Sequence, residues 1–252
     1  MGAEISKDYQ EIAEELRQRI EGEVRFDRYS RLLYSTDASI FEIEPVGVVL
    51  PRHKGDVQAV VEVADRCGVA ILPRGGGTSL AGQCVGHAIV LDFSKYMNRV
   101  LEVNREELWC RVQPGLVQDE LNAHVRSADL LFGPDTSTSN RATIGGMIGN
   151  NSAGAHSIAY GKTLDHVLEL TAYLFDGSEL VMKDLSADAL AAMGKNSRLE
   201  GQIYHGIRDI VEKNRREILE RYPKIMRRVS GYNLDEFVKP QPFNLSRLVV
   251  GS

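Results

Sequence analysis

Three consecutive glycines, Gly75 to Gly77, stand in "LPRGGGTSLAGQ", directly after the apolar run "VAIL" of residues 69–72. Glycine loses more backbone freedom on ordering than any other residue, so such a run is costly unless bare backbone serves a purpose. One purpose suits it: successive backbone N–H groups can converge on a concavity that holds an anion. Thr78 and Ser79 add hydroxyl donors. No Gly-Lys-Ser/Thr follows, which excludes the mononucleotide phosphate loop, and the glycine spacing is not that of the dinucleotide fingerprint. Taken alone, the run is equally compatible with a surface turn.

Its surroundings narrow the choice. "VGVVL" (Val46 to Leu50) is a compact apolar strand, and "GDVQAVVEVADRCG" follows as a helix with Asp56 in its first turn and Gly68 at its stop. "VAIL" is the next strand, then come the glycines, then strands in "AIVLDF", "RVLEV" and "LWCRVQPG". Upstream, an amphipathic helix is expected from about Ser6 to Gly22, with Ile5, Ile12, Leu16 and Ile20 on one side. A β-α-β unit followed by further strands predicts a mixed α/β subdomain.

A second unit starts near Gln113 with the helix "LVQDELNAHVRSADL". The loop "FGPDTSTSNRATIGGMIGNNSAGAHS" follows, and a loop of that length inside a compact domain is usually functional. "LELTAYLF" and "ELVM" read as a hairpin across Asp176-Gly177. "LEGQIYHGIRDIVEKNRREILERY" reads as one long helix ending at Pro223, and the final "LSRLVVGS" as a strand. Two loops of bare backbone and short polar side chains, one in each unit, suggest one extended phosphate-bearing ligand rather than two unrelated turns.

Net charge is −5, from 30 basic and 35 acidic residues, which argues against a general nucleic-acid surface. No apolar run approaches the roughly 20 residues of a membrane span, and the charged N-terminus has no signal-peptide pattern. Cys67, Cys84 and Cys110 are odd in number and lack C-x-x-C spacing, so a reduced, cytoplasmic setting is expected.

"PRGGGTSLAGQ", "GPDTSTSNRATIGGMIGNNSAGAHSIAYGKTLDHVLELTAYLFDG" and "SGYNLDEF", with the upstream "YSTDASIFEIEPVGVVLPRH", resemble the FAD-binding fold of the vanillyl-alcohol-oxidase (PCMH) type. They resemble most its branch of FAD-linked D-2-hydroxyacid dehydrogenases, the D-lactate, glycolate and D-2-hydroxyglutarate enzymes. The resemblance implies an α+β fold of two α/β subdomains with FAD between them: an N-terminal helical arm (1–44) and FAD-binding subdomains at 45–112 and 113–252. It implies that backbone amides of the first loop meet the FAD pyrophosphate, at Arg74, Gly75, Gly76, Gly77, Thr78, Ser79, Gly82 and Gln83. In the second loop, which closes over pyrophosphate, ribitol and isoalloxazine, the matching residues are Pro134, Asp135, Ser137, Thr143, Gly145, Gly146, Asn150, Ser152, Ala153 and Gly154. Gly161 and Val167 match the run that meets the adenine side. Thr78 stands where some relatives carry a flavin-linking histidine, so the resemblance implies dissociable FAD.

The function so implied is oxidation of a small D-2-hydroxy acid by hydride transfer to FAD. Members of the branch continue past "VGS" with Glu-Gly-Thr-Leu-Gly and a cap domain carrying the substrate-binding residues. The expectation is therefore a cofactor-binding portion, truncated at its last strand, with no catalytic base of its own. A flavin-binding subunit or isolated module that needs a partner chain is the alternative. A phosphate-binding α/β protein without flavin is a third possibility that the two loops leave open.

The six histidines (His53, His87, His124, His156, His166, His205) show no metal-ligand spacing, so no metal site is expected. His156, within the second loop, is the one placed to approach the flavin. The basic run "RYPKIMRRVS" (Arg221 to Ser230) reads as a solvated face, or as a dock for an acidic electron-transfer partner. Tyr232 in "SGYNL" falls on the active-site side in the family motif.

Overall fold

The computed structural model describes residues 7–193, 198–228 and 231–252. Ile5, Ser6, Val229 and Ser230, which belong to expected motifs, lie outside that range. The chain forms two compact units. One runs to Phe132 and takes in Thr136–Gly146 and Tyr173–Glu179; the other comprises Gly133–Asp135, Met147–Ala172 and Leu180–Ser252.

The first unit is built on a four-stranded sheet. β1 (Glu23–Arg25) lies antiparallel to β2 (Gly47–Leu50), and β2 and β3 (Ile71–Arg74) flank β4 (Ile89–Asp92) in parallel, giving the order β1-β2-β4-β3. Apolar residues alternate across it because successive side chains of a strand face opposite ways. Val49, Ile89 and Leu91 face a core shared with α1 (Lys7–Arg19) and α3 (Lys54–Cys67), while Val48, Leu50 and Val90 face Tyr34, Leu72 and Tyr96. α1 buries Ile12, Ala13 and Leu16; burial of a side chain like Leu16 contributes about 1.5–3 kcal/mol.

Local chemistry fixes the ends of α3. His53 accepts the Asp56 N–H through its ring at 3.3 Å, and Gly68 closes the helix in the left-handed region at φ +64°. The Asp56 carboxylate, fully buried, accepts the N–H groups of Glu21 (3.0 Å) and Arg52 (2.8 Å), which ties the entry of β1 to the exit of β2. α2 (Arg28–Leu33) starts on the side chain of Asp27, which accepts the Ser30 N–H at 2.9 Å. β5 (Val100–Asn104) and β6 (Trp109–Val112) form a bulged antiparallel pair, followed by α4 (Gln118–Val125) and a 3₁₀ turn at Arg126–Ala128.

The expected long loop is interrupted by one short helix, α5 (Ile144–Gly149), and is followed by two more, α6 (Ser157–Tyr160) from its last residue and α7 (Thr163–His166). β7 (Leu170–Tyr173) and β8 (Glu179–Met182) pair across a turn in which Asp176 accepts the Ser178 N–H at 3.0 Å and Gly177 has φ +80°. The remaining chain of the second unit is helical: α8 (Ala187–Met193), α9 (Leu199–Lys213), α10 (Arg215–Arg221), a 3₁₀ turn at Leu234–Val238, and α11 (Ser246–Val249).

Two further elements differ from the sequence expectation. The long helix divides at Asn214, whose side-chain amide donates to the Ile210 carbonyl at 2.8 Å and competes with the backbone ladder. The final apolar run is a helix and not a strand. Asn244 accepts the Ser246 N–H at 2.9 Å, and the Asn233 amide donates to the carbonyls of Arg247 (3.1 Å) and Val250 (2.8 Å). A short apolar run cannot itself distinguish strand from buried helix.

Candidate functional site

In the first unit the glycine loop leaves the carboxyl end of β3, the end of a parallel strand at which ligand loops gather. Arg74 organises its base. The guanidinium donates to the carbonyls of Tyr34 (3.1 Å), Cys84 (3.0 Å) and Thr36 (2.7 Å), and lies over the Tyr34 ring at 5.2 Å. Tyr34 in turn donates to the buried Asp92 at 2.5 Å, and burial together with that carboxylate holds its phenol well above the usual range. The Asp37 carboxylate closes the same ring of contacts by accepting the Cys84 N–H at 3.3 Å, and burial raises the Cys84 thiol.

The loop packs against the 136–146 segment of the same unit. A Cβ on Gly75 would collide with the Thr143 side chain, and one on Gly76 with the Arg141 carbonyl. Those glycines therefore permit close approach, whereas left-handed backbone occurs at Gly77 (φ +63°) and Gly82 (φ +81°). Thr143 is buried, pairs with Val117 in a β-bridge, and accepts the Gly146 N–H at 3.3 Å; Gly145 donates to the Pro114 carbonyl at 2.8 Å. Ser79 and Gln83 hydrogen-bond each other, and Ser137 is exposed. The structure thus brings Gly75 against Thr143 and Gly76 against Arg141, with Gly146 bonded to Thr143, whereas Gly145 meets Pro114 and Ser79 turns to Gln83.

Among the described residues, no protein acceptor meets the backbone N–H groups of Gly75, Gly76, Gly77 or Thr78. Buried backbone donors are almost always paired in folded proteins, so four successive donors without a protein acceptor on a loop that is largely half-buried are available to an anion. The donor set fits a pyrophosphate.

The second unit holds Pro134, Asp135, Asn150, Ser152, Ala153, Gly154, Gly161 and Val167. Gly154 lies so close to Asp135 that a Cβ would meet both its carbonyl and its carboxylate. Asp135 accepts the His156 N–H at 3.2 Å and pairs with the His156 ring Nδ1 at 3.0 Å. Burial opposes ionisation of Asp135, but the His156 hydrogen bonds outweigh it and hold the carboxyl below its ordinary range. Asn150 reaches the Ser152 hydroxyl at 3.4 Å. The Ser152 carbonyl accepts from the Thr163 hydroxyl (2.8 Å) and N–H (3.1 Å). Gly161, at φ +79°, ends α6, and Val167 ends α7.

Three contributors to these arrangements carry no glycine signature. Asn151 is buried in the left-handed region (φ 43°) and accepts the Leu164 N–H at 3.0 Å; the Asn-Asn pair was its available signal, since Asn tolerates that conformation. Arg227 donates to the Gly154 carbonyl at 2.6 Å from 73 residues away, and no local pattern announces it. Asp92 anchors Tyr34 from inside an apolar strand. Tyr232 is exposed, with its carbonyl accepting the Tyr222 hydroxyl at 2.8 Å. A separate cavity of about 440 Å³ in the second unit is lined by Lys162, Leu164, Tyr222, Met226 and Arg228 among others, and by none of the residues expected to hold a cofactor. No helix among the described residues is long and apolar enough to cross a membrane.

The chain is 40% identical over 227 residues to a D-2-hydroxyglutarate dehydrogenase of Pantoea ananatis, covering 88% of this chain and 22% of that one. A protein of the same name from Pseudomonas putida is 38% identical over 252 residues, covering 98% and 25%. The chain therefore spans about a quarter of the length of these curated relatives. Among solved structures, an alkyldihydroxyacetonephosphate synthase superposes with a TM-score of 0.65 at 23% identity, over 74% of this chain and 36% of that one. That likeness shows the fold, an α+β fold of the vanillyl-alcohol-oxidase type. Residues 45–183, more than half of the chain, match the family model described as "FAD binding domain", and the chain belongs to this family.

Proposed function

We propose that this chain is the cofactor-holding portion of a flavin-dependent oxidoreductase that oxidises a small D-2-hydroxy acid. The observation that carries the reading is the run of four unpaired N–H groups from Gly75 to Thr78, placed against Thr143 and Arg141 by glycines that admit no side chain. In this reading the first loop binds the pyrophosphate, with Arg74 holding the loop in shape through three carbonyls and Thr78 adding a hydroxyl. Asp135, Asn150, Ser152, Ala153 and Gly154 form the second loop's contribution, and Gly161 and Val167 meet the adenine side. Bound FAD supplies a two-electron acceptor, and the protein supplies position and electrostatics. Thr78 stands where some members of the family carry a flavin-linking histidine, which supports dissociable binding.

The D-2-hydroxy acid comes from the names of the relatives, of which this chain matches about a quarter. A reduced cytoplasmic setting is supported by three free cysteines. Part of the basic run is engaged internally, with Arg221 on Glu217 (3.1 Å) and Arg228 on Asp235 (2.6 Å). Among the described residues of the run, Lys224 and Arg227 make no ion pair and would serve as cations toward an acidic electron-transfer partner.

The test is titration of the purified chain with FAD. Uptake with absorbance bands at about 370 and 450 nm, which belong to the flavin itself, is the expected result. A chain that binds no FAD sinks the reading. Turnover of D-2-hydroxyglutarate or D-lactate with an artificial acceptor then separates an active enzyme from a flavin-binding module that needs a partner chain.

A further inference from the structure

The cavity of about 440 Å³ in the second unit is lined by none of the residues assigned to the cofactor. Its volume falls in the range of small-molecule sites, roughly 300–1,000 Å³. Its apolar lining is aliphatic: Leu164 of α7 and Ile218 of α10 are buried, Val238 closes the 3₁₀ turn, and Ile225 and Met226 stand 64% and 48% exposed. The polar wall is held in place from within. The Tyr222 hydroxyl donates to the Tyr232 carbonyl at 2.8 Å and accepts the Leu234 N–H at 3.3 Å. The Arg228 guanidinium lies over the Tyr222 ring at 5.1 Å and donates to Asp235 (2.6 Å) and to the Pro223 carbonyl (3.1 Å).

Charge around the cavity is unbalanced. Both carboxylates of the lining are already paired, Asp235 with Arg228 and Glu236 with Lys239. Two further lysines remain. Lys162, half-buried, reaches Asp165 only at 3.9 Å, and Lys224 makes no ion pair among the described residues. An apolar space with surplus positive charge suits a ligand with an apolar body and an anionic head.

We propose that this cavity binds a medium-chain acyl carboxylate, its chain against Leu164, Ile218 and Met226 and its head met by the ammonium groups of Lys162 and Lys224. The aliphatic walls suit a saturated chain, and Met226 adapts to its shape. A single anionic head suits the point charge of lysine, whereas the planar fork of Arg228 is spent on Asp235 and Pro223. The inference stands apart from the oxidoreductase reading, except that Lys224 is a cation an acidic partner would also engage.

The probe is octanoate, titrated calorimetrically into the purified chain with and without FAD. Octanoate is expected to bind with the same affinity in both states. Acetate, shorter by roughly six methylenes, should bind at least about a hundredfold more weakly. Octan-1-ol, which keeps the chain and loses the charge, should bind about tenfold more weakly. Lys224→Glu and Met226→Asp, both at exposed positions, are each expected to lose about tenfold or more. Lys213→Glu, exposed on α9 and outside the lining, stays within about twofold. No octanoate binding by wild type overturns the proposal. So does acetate or octan-1-ol binding as tightly as octanoate, or wild-type affinity in both cavity variants. Competition between octanoate and FAD also overturns it, since the cavity would then belong to the cofactor site. Failure of FAD uptake overturns the oxidoreductase reading and leaves the octanoate result to be judged on its own.

Discussion

Gly76→Ala tests the cradle most directly. The added Cβ has no room, since it falls on the Arg141 carbonyl oxygen. That carbonyl cannot easily withdraw, because its own turn is closed by hydrogen bonds from Arg141 N (2.8 Å) and Ala142 N (2.7 Å) to Thr138 O. The loop must therefore lift away from the 136–146 segment. Overpacking of this kind costs about 1–3 kcal/mol of stability. The larger effect falls on the ligand, because lifting the loop disperses the four N–H donors of Gly75 to Thr78. Losing two hydrogen bonds to a charged group, at about 1.5–3 kcal/mol each, removes about 3–6 kcal/mol of binding, or roughly 10²- to 10⁴-fold in Kd. FAD titration by flavin fluorescence measures this, with a thermal melt of the FAD-free protein to report the structural cost. Gly149→Ala is the matched control: nothing lies within 4 Å of its Cβ, and it sits at the end of α5. It should leave FAD affinity unchanged. If Gly76→Ala binds FAD within about threefold of wild type, less than the loss of one such hydrogen bond, the cradle is not the pyrophosphate site.

Arg74→Ala removes three bonds to carbonyls and should cost roughly 2–3 kcal/mol in urea unfolding, with Arg74→Lys recovering little because an ammonium cannot span all three. An equal stability for both variants and wild type would show that Arg74 does not organise the loop. Glu23 sets an acid limit. Its hydrogen bonds from Lys95 and Tyr96, with Arg25, lower its carboxyl from 4.5 to about 2 against a burial effect of opposite sign. A lowered folded-state value stabilises above the unfolded value, so this contribution is present above pH 4.5 and is lost as pH falls toward 2. Glu23→Gln should flatten the dependence of the urea midpoint on pH in that window, and an unchanged slope would refute the assignment.

Much of the first unit is legible in the sequence because its signals are local. "VGVVL" becomes the fully buried strand β2, antiparallel to β1 and parallel to β4, and Gly68 ends α3 in the conformation that glycine favours there. β3 is displaced from "VAIL" to Ile71–Arg74 because Pro73 belongs to the strand. A proline removes a ladder donor and reads as a strand end, yet β3 is an edge strand, where that donor is not required. α5 was hidden by Gly145, Gly146 and Gly149, poor helix formers; at Gly145 the glycine answers to Pro114, 2.8 Å from where a Cβ would stand. The glycine loops themselves announce a ligand site, but not its internal logic. Pairings such as Arg74 with Tyr34, Thr36 and Cys84, or Arg227 with Gly154, join residues far apart in sequence and leave no periodic trace.

The division of the backbone also governs how the molecule can be taken apart. The chain passes from one unit to the other five times, between Phe132 and Gly133, Asp135 and Thr136, Gly146 and Met147, Ala172 and Tyr173, and Glu179 and Leu180. No single cleavage separates two self-contained pieces. A fragment ending at Phe132 lacks the turn that backs the glycine cradle, and one starting at Met147 lacks the carboxylate that holds His156. A protease nick in either loop therefore leaves complementary fragments that must reassociate to rebuild each unit, and a ribosome completes the first unit only after it has begun the second.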